Sequence, residues 1–322
     1  MFKVFIDGEA GTTGLRIRER LSQRDDIELL TINPELRKDL NERKKLINSA
    51  DIVFLCLPDD ASREAVTLLD NNHTRIIDAS TAHRTDQAWA YGFPELGDEF
   101  LEKVKKNQLV AVPGCYASGF MSIVYPLVKL NIASKDYPFS ANAISGYSGA
   151  GKKGIAQYED ENRSSEFDGP RLYAMQQMHK HLKEMQAIPG LSEKPLFNPY
   201  VCDFYSGMLV TIPLYTDKLN KKYKAIEIYN MLKDYYKDSK FVRVMPFYET
   251  GTEDGFLSAS HLSGKDYMEI YVAGNDERIS ITSCLDNLGK GASGAAIECM
   301  NYMLGINPEK GLCLWVNLRN WI

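Results

Sequence analysis

Two kinds of side chain capable of covalent and proton-transfer chemistry stand out in this chain by their settings. Cys115 lies in Val112-Pro113-Gly114-Cys115-Tyr116-Ala117-Ser118-Gly119, where an extended run from Gln108 to Val112 gives way to a helical one from Tyr116 to Leu130. That places the sulfur at or near a helix N-terminus, whose unpaired N–H groups and positive dipole end favour a thiolate and predict a lowered thiol pKa. A thiolate attacks acyl and carbonyl carbon, so the position suits a nucleophile. A small apolar residue packed at a helix start would satisfy the same pattern. His179 and His181, on either side of Lys180, form the one cluster among five histidines. Imidazole titrates near neutrality and is the natural base for a thiol, while an exposed helix face would also place two histidines this way. No third ligand is spaced for zinc.

The elements that would position these groups read as an alternation of strands and helices. Phe2–Asp7 is a buried strand, followed by Gly8-Glu9-Ala10-Gly11-Thr12-Thr13-Gly14 and an amphipathic helix from about Leu15 to Ser22. A strand, a glycine-spaced loop and a helix open a dinucleotide-binding unit, in which glycines let the backbone approach a pyrophosphate at the helix N-terminus. The spacing here, Gly-x-x-Gly-x-x-Gly, is a variant. The second strand, Ile27–Ile32, ends at Asn33-Pro34 with no acid to bind ribose hydroxyls, and Arg37-Lys38 follow. That favours NADP(H) over NAD(H), against the plainer reading of two solvent-facing charges. Further strands at Asp51–Pro58, Arg75–Asp78 and Leu109–Val112 deliver polar loops at their carboxyl ends, where open α/β sheets bind ligands.

Beyond Cys115 the pattern changes. Ala141–Ser145, Tyr200–Tyr215 and Met268–Ser283 read as strands of a second sheet, Ile226–Tyr236 as a helix, and Leu285–Gly294 as the lead into a last helix reaching about Leu304. The expected architecture is α/β: a Rossmann-type dinucleotide-binding domain (1–116 and 288–322) and an α+β substrate and oligomerisation domain (117–287), with the C-terminal helix packing back on the first.

At 322 residues, with 44% hydrophobic and 25% charged residues, the chain can bury two ordinary cores. A formal charge of −5 disfavours nucleic acid or an anionic membrane as partner, and the basic clusters Arg43-Lys44-Lys45 and Lys221-Lys222 read as solvated faces. No apolar run approaches a membrane span. Six widely spaced cysteines, none in a Cys-x-x-Cys pair, read as reduced thiols of a cytoplasmic protein.

Several segments together resemble the N-acetyl-γ-glutamyl-phosphate reductase family, in its shorter subfamily. They are Gly8–Gly14, Asp78-Ala79-Ser80-Thr81-Ala82-His83-Arg84, Val112–Gly119, Ser145-Gly146-Tyr147-Ser148-Gly149-Ala150-Gly151, His179-Lys180-His181 and Asp286-Asn287-Leu288-Gly289-Lys290-Gly291-Ala292. The likeness spans nearly the whole chain. Gly11-Thr12-Thr13-Gly14 and Leu182-Lys183-Glu184-Met185 stand where the longer subfamily carries Gly-Tyr-Thr-Gly and a Pro-Glu-Ile segment.

The resemblance implies NADPH-dependent reduction of an acyl phosphate to a semialdehyde, in arginine biosynthesis, by a homo-oligomer, expected as a tetramer. Cys115 would form the thioester, with His181 (or His179) managing the proton. Gly8, Gly11, Thr12, Thr13, Gly14, Arg37, Lys38, Ser80, Asn287 and Gly289 would hold NADP(H). Arg84, whose fork suits phosphate or carboxylate, and Ser148 and Lys152 would face the substrate; a structural ion pair is the other reading of Arg84. Aspartate-semialdehyde dehydrogenase, a lysine-pathway aminoadipyl-phosphate reductase and a non-catalytic NADP-sensing module are the competing readings. A competent nucleophile with a paired base speaks against the last.

Overall fold

The computed structural model describes residues 1–247 and 255–314. The expected tail of the first domain, 315–322, lies outside the described residues.

The first half builds β1 (Phe2–Asp7), α1 (Thr12–Leu21), β2 (Ile27–Leu30), α2 (Leu40–Ser49), β3 (Ile52–Leu55), α3 (Asp59–Thr67), β4 (Arg75–Asp78), β5 (Ala90–Tyr91), α4 (Asp98–Lys106), β6 (Leu109–Ala111) and α5 (Cys115–Lys129). The strands form one parallel sheet in the order β2-β1-β3-β4-β6-β5. Continuous apolar runs explain this: every residue of β3 is buried, as strands covered on both faces require. One charge counted as solvated is not. Arg43 is buried and paired with Asp7 at the end of β1 and with Glu64 of α3. Arg43 is a residue of α2 itself, and only the carboxylates make its burial tolerable.

The second half supplies β7 (Ser140–Gly146), α6 (Gly151–Tyr158), β8 (Arg171–Leu172), α7 (Leu182–Ala187), β9 (Leu196–Cys202), β10 (Met208–Tyr215), α8 (Ala225–Tyr235), β11 (Val242–Val244), β12 (Met268–Gly274), β13 (Arg278–Leu285) and α9 (Gly294–Met303). Its mixed sheet runs β11-β12-β13-β10-β7-β9-β8. The sequence runs 200–215 and 268–283 each break within: the first spans the end of β9 and β10, the second an antiparallel hairpin of β12 and β13.

Alternation decides which face of this sheet is covered. Val210, Ile212 and Leu214 of β10 and Ile279 and Ile281 of β13 turn inward onto Ala117, Phe120, Met121 and Val124 of α5. The other face presents half-buried Leu209, Thr211 and Pro213 and exposed Ile144 and Leu196. Buried almost all round, α5 is the central post, which its apolar composition requires. As expected, α9 returns to the first sheet: Ile297, Cys299, Met300 and Met303 cluster with Val4, Ile52, Ile77 and Val110. Fully burying side chains of this kind contributes roughly 1.5–3 kcal/mol each, before conformational entropy is subtracted. That packing holds the two sheets in one orientation, with the loops of the first facing the second.

Candidate active site

Between the sheets lies a cavity of about 670 Å³. Loops after β1, β3, β4 and β6 form one wall, and β7–α6, β8 and residues 179–181 form the other. Cys115 lies in it as the first residue of α5, with Gly114 as the N-cap and no side chain capping the helix's opening N–H groups. Those donors are free to meet negative charge at an attacked carbonyl. Gly291 seals the other side of the sulfur's carbon: a methyl there would stand 2.8 Å from Cys115 Cβ.

The placement agrees with the sequence reading, but the expected lowering of the thiol pKa does not hold. Burial pushes the Cys115 thiol up to about 11, although the Tyr116 N–H, Arg84 and Lys180 each pull it down. The dipole's half-charge is outweighed by loss of water around the sulfur. At rest Cys115 is therefore a thiol, and to act as a nucleophile it would need a base.

Both histidines line the cavity, and the structure gives them different work. His179 is occupied: its Nδ1 accepts the His181 backbone N–H at 3.1 Å, leaving Nε2, 3.3 Å from Tyr173 Oη, to carry the proton of the neutral ring. Burial, Lys180 and Arg84 bring its pKa down to about 4. The His181 ring is buried, and its Nδ1 has no hydrogen-bond partner among the described residues. Burial first, then Arg84, His179 and Lys180, hold it well below the ordinary histidine value. A neutral imidazole with a free nitrogen can accept a proton.

What brings His181 to Cys115 is a feature the sequence reading passed over. Glu184, one helical turn on, is buried in α7; it accepts Arg84 Nη1 and Tyr91 Oη at 2.7 Å each and the Gly114 N–H at about 3.3 Å. Burial raises its pKa against the pull of Arg84. This carboxylate bolts the histidine segment to the turn before Cys115. An acid three residues after the second histidine was the available signal.

Arg84 is therefore held by protein on three sides. Nη1 binds Glu184, Nε donates to the Val112 carbonyl at 2.9 Å, and Nη2 to that of Ala79 at 3.1 Å. Its loop is pinned by Asp78, whose buried carboxylate accepts from Ser62, from the Ser80 hydroxyl and N–H, and from His83, itself stacked on Trp89.

Gly114 has no room for a side chain: a Cβ would overlap His181 Nε2 and stand 2.6 Å from Arg84 Nη1. Neither group can retreat from its buried place. Gly114→Ala is expected to destabilise by about 1–3 kcal/mol, as overpacking does, and to cut turnover at least tenfold by displacing His181. Thermal unfolding and kcat, beside Gly169→Ala, where a methyl meets nothing, check this.

The residues expected at the dinucleotide divide. Gly11, Thr12, Thr13, Ser80 and Asn287 line the cavity. Gly8 and Gly14 shape the loop from behind: Gly8 has φ +88° and a Cβ there would overlap the Cys56 carbonyl, while one at Gly14 would stand 2.7 Å from the Gly8 oxygen. With Gly11 as N-cap and no capping side chain, the N-terminus of α1 is open to an anion, and the cradle fits a pyrophosphate. Asn287 ties the far wall together, accepting the Gly207 N–H and donating to Ser148 Oγ, which also lines the cavity. Gly289 does not face it; a Cβ there would overlap the Lys265 carbonyl. Lys152 is exposed on α6 outside the cavity lining, and Arg37 and Lys38 are exposed on the turn after β2.

Comparison with known proteins identifies both halves of the chain. The semialdehyde dehydrogenase NAD-binding domain matches residues 3–104, and the semialdehyde dehydrogenase dimerisation domain matches 115–287. A protein of Nostoc sp. named N-acetyl-gamma-glutamyl-phosphate reductase 2 is 48% identical over 318 residues, 96% of this chain and 99% of its own length. One from Brucella ovis, named N-acetyl-gamma-glutamyl-phosphate reductase, is 44% identical over 94% of this chain and 99% of its own. In fold, the chain is similar to aspartate semialdehyde dehydrogenase II of Vibrio cholerae, with TM-score 0.70 and 16% identity, covering 95% of this chain and 98% of that one. A cysteine at an open helix end, a neutral histidine in the same cavity and an uncapped α1 N-terminus facing it go with these likenesses: the chain belongs to the semialdehyde dehydrogenase family, among the N-acetyl-γ-glutamyl-phosphate reductases.

Proposed function

We propose that this enzyme reduces N-acetyl-γ-glutamyl phosphate to N-acetylglutamate semialdehyde with NADPH, releasing phosphate, in arginine biosynthesis. The observation that carries the reading is the cavity itself, which brings Cys115, neutral His181 and the α1 anion cradle to one space. His181 takes the thiol proton as the sulfur bonds to the acyl carbon, and the carbon–oxygen bond to phosphate breaks to leave a thioester. The opening N–H groups of α5 stabilise the oxyanion that forms on the way. When bound, the reduced dinucleotide supplies the hydride that converts the thioester to a hemithioacetal. Its collapse re-forms a carbonyl, and the departing thiolate recovers its proton from His181.

Within this reading Gly11, Thr12 and Thr13 hold the pyrophosphate. Arg37 and Lys38 hold the 2′-phosphate beyond the cavity, on the turn after β2, which pairs directly with β1. Residues 1–116 with 288–322 act as the dinucleotide-binding domain, and 117–287 as the substrate and oligomerisation domain. The uncovered face of the second sheet, with Ile144, Leu196 and Leu209, is the surface for a second copy within a homotetramer. A cytoplasmic setting belongs to the same reading, in keeping with six free cysteines. Among the described residues no helix is long and apolar enough to cross a membrane.

The test runs the reaction backwards: protein, NADP⁺, inorganic phosphate and N-acetylglutamate semialdehyde, followed by absorbance of the reduced nicotinamide. Turnover should require phosphate and strongly prefer NADP⁺ to NAD⁺. Faster turnover of aspartate semialdehyde would sink the substrate assignment. Replacing Arg37 and Lys38 by Ala should raise KM for NADP⁺ about tenfold or more and leave that for NAD⁺ alone, since charge-assisted contacts to one phosphate are lost. Equal use of both dinucleotides by the wild type would remove the role given to the basic pair.

A further inference from the structure

The substrate proposed above is an anion at both ends, and the mechanism has so far assigned no residue to either charge. Besides the two histidines, the basic side chains lining the cavity among the described residues are Arg84, Lys180 and Arg171. Arg84 is buried and held by Glu184 and two carbonyls. The other two are exposed at the mouth, and neither has a carboxylate partner within ion-pair distance among the described residues. Asp59 is the one acid in the described lining. Asp59 accepts from Thr81 and also feels the charge of Lys180, yet the cations around the space where the substrate must lie still outnumber the acids.

The two differ in position and in kind. Lys180 sits in the chain between the paired histidines, and its charge acts on Cys115, His179 and His181 alike. His181 Nε2 lies against Gly114, next to Cys115, so Lys180 belongs to a segment that reaches the turn where the attacked carbon and its phosphoryl group must lie. Arg171 stands on β8, a separate element of the cavity wall. Its guanidinium lies over the Phe167 ring, 3.9 Å from the centroid, and its strand neighbour Val201 also lines the wall. Stacking holds the planar fork ready for a planar carboxylate, whereas a mobile point charge suits a phosphate that changes position as it leaves.

We propose that Lys180 receives the phosphoryl group of the substrate and Arg171 its α-carboxylate. The inference rests on the acyl-phosphate reading of the same cavity. As the thioester forms and the carbon–oxygen bond breaks, the electron pair and growing charge pass to phosphate, which Lys180 neutralises. In reverse, Lys180 brings a phosphate oxygen to the thioester carbon as the carbon–sulfur bond breaks and the thiolate takes its proton from His181.

The reverse assay separates the two ends, because phosphate and semialdehyde are then separate substrates. Lys180→Gln should raise KM for inorganic phosphate about 10- to 100-fold and change that for N-acetylglutamate semialdehyde less than about twofold. Arg171→Gln should do the converse. A readout without the dinucleotide goes beside it: inorganic phosphate should slow alkylation of Cys115 by iodoacetamide in wild type and Arg171→Gln, and not in Lys180→Gln. NADPH affinity, read by fluorescence, should stay unchanged in both. Weakened NADPH binding in Lys180→Gln with an unchanged phosphate KM would assign the lysine to the dinucleotide and overturn the proposal, as would two variants shifting the same KM or neither. A wild type that turns over no semialdehyde would instead sink the acyl-phosphate reading, and phosphate protection of Cys115 would still decide Lys180.

Discussion

Cys115→Ser is expected to lose turnover by about 10³-fold or more while NADPH binding and thermal stability stay near wild type. Burial already holds the thiol near 11, so the free enzyme has little thiolate to use and depends on proton removal during attack. A hydroxyl in the same water-poor place ionises far less readily, and the open N-terminus of α5 adds only a fraction of a charge to help it. Oxygen for sulfur is a small change of volume at a half-buried site, so the fold should not notice. Steady-state rates, NADPH fluorescence and thermal unfolding check the three parts. Alkylation gives a second view: Cys115 should be labelled faster in the wild type than buried Cys202, Cys284 or Cys299. A serine variant with substantial turnover would return Cys115 to the role of a packed residue.

His181→Asn should slow the reaction by roughly 10²–10⁴, the span of general acid–base catalysis. His179→Asn should cost less, because the Nδ1 of His179 is committed to the His181 N–H and an amide oxygen can take its place. The pH profiles carry more than the rates. His181 is neutral in the fold far below the ordinary value of about 6.5, so the wild type should show no loss of rate through its protonation across the neutral range. Without the imidazole, attack waits for spontaneous thiolate, and the rate of His181→Asn should climb with pH toward about 11. Were His179→Asn to show that climb while His181→Asn kept a flat profile, the two roles would have to be exchanged.

Linkage gives the matching stability result. Both rings are neutral when folded and take protons at the ordinary value when unfolded, so the unfolded chain binds more protons below about pH 6.5. The stability associated with them is complete above that pH and is lost as pH falls toward the folded value of about 4 for His179.

Much of the site could be read from the chain because local rules place it. A Pro-Gly step ending β6 must hand over to α5, and so Cys115 falls at a helix start. Gly11-Thr12-Thr13 after β1 must open α1. What local rules do not report is burial, and each error has that cause. The pKa of Cys115 was expected to fall because a helix end was visible and the loss of water was not. Arg43 reads from the chain as a solvated charge because its partners Asp7 and Glu64 lie on separate elements. Gly289 seemed to face the dinucleotide because its motif does, yet within that motif it is Gly291 that meets Cys115.

By itself the sequence determined the family and the order of elements, and it singled out Cys115 and the glycine loop after β1 as candidates, since these depend on residue types at short spacing and on strand and helix periods. Only the tertiary structure decided which histidine has a nitrogen to spare, that Glu184 joins the histidine segment to Gly114, and that Arg84 is held by protein while Lys180 and Arg171 face open space. The physical reason is that proton affinity and charge pairing follow from which groups share a water-poor volume. Glu184 and Gly114 are seventy residues apart in the chain, and no spacing rule reaches that far.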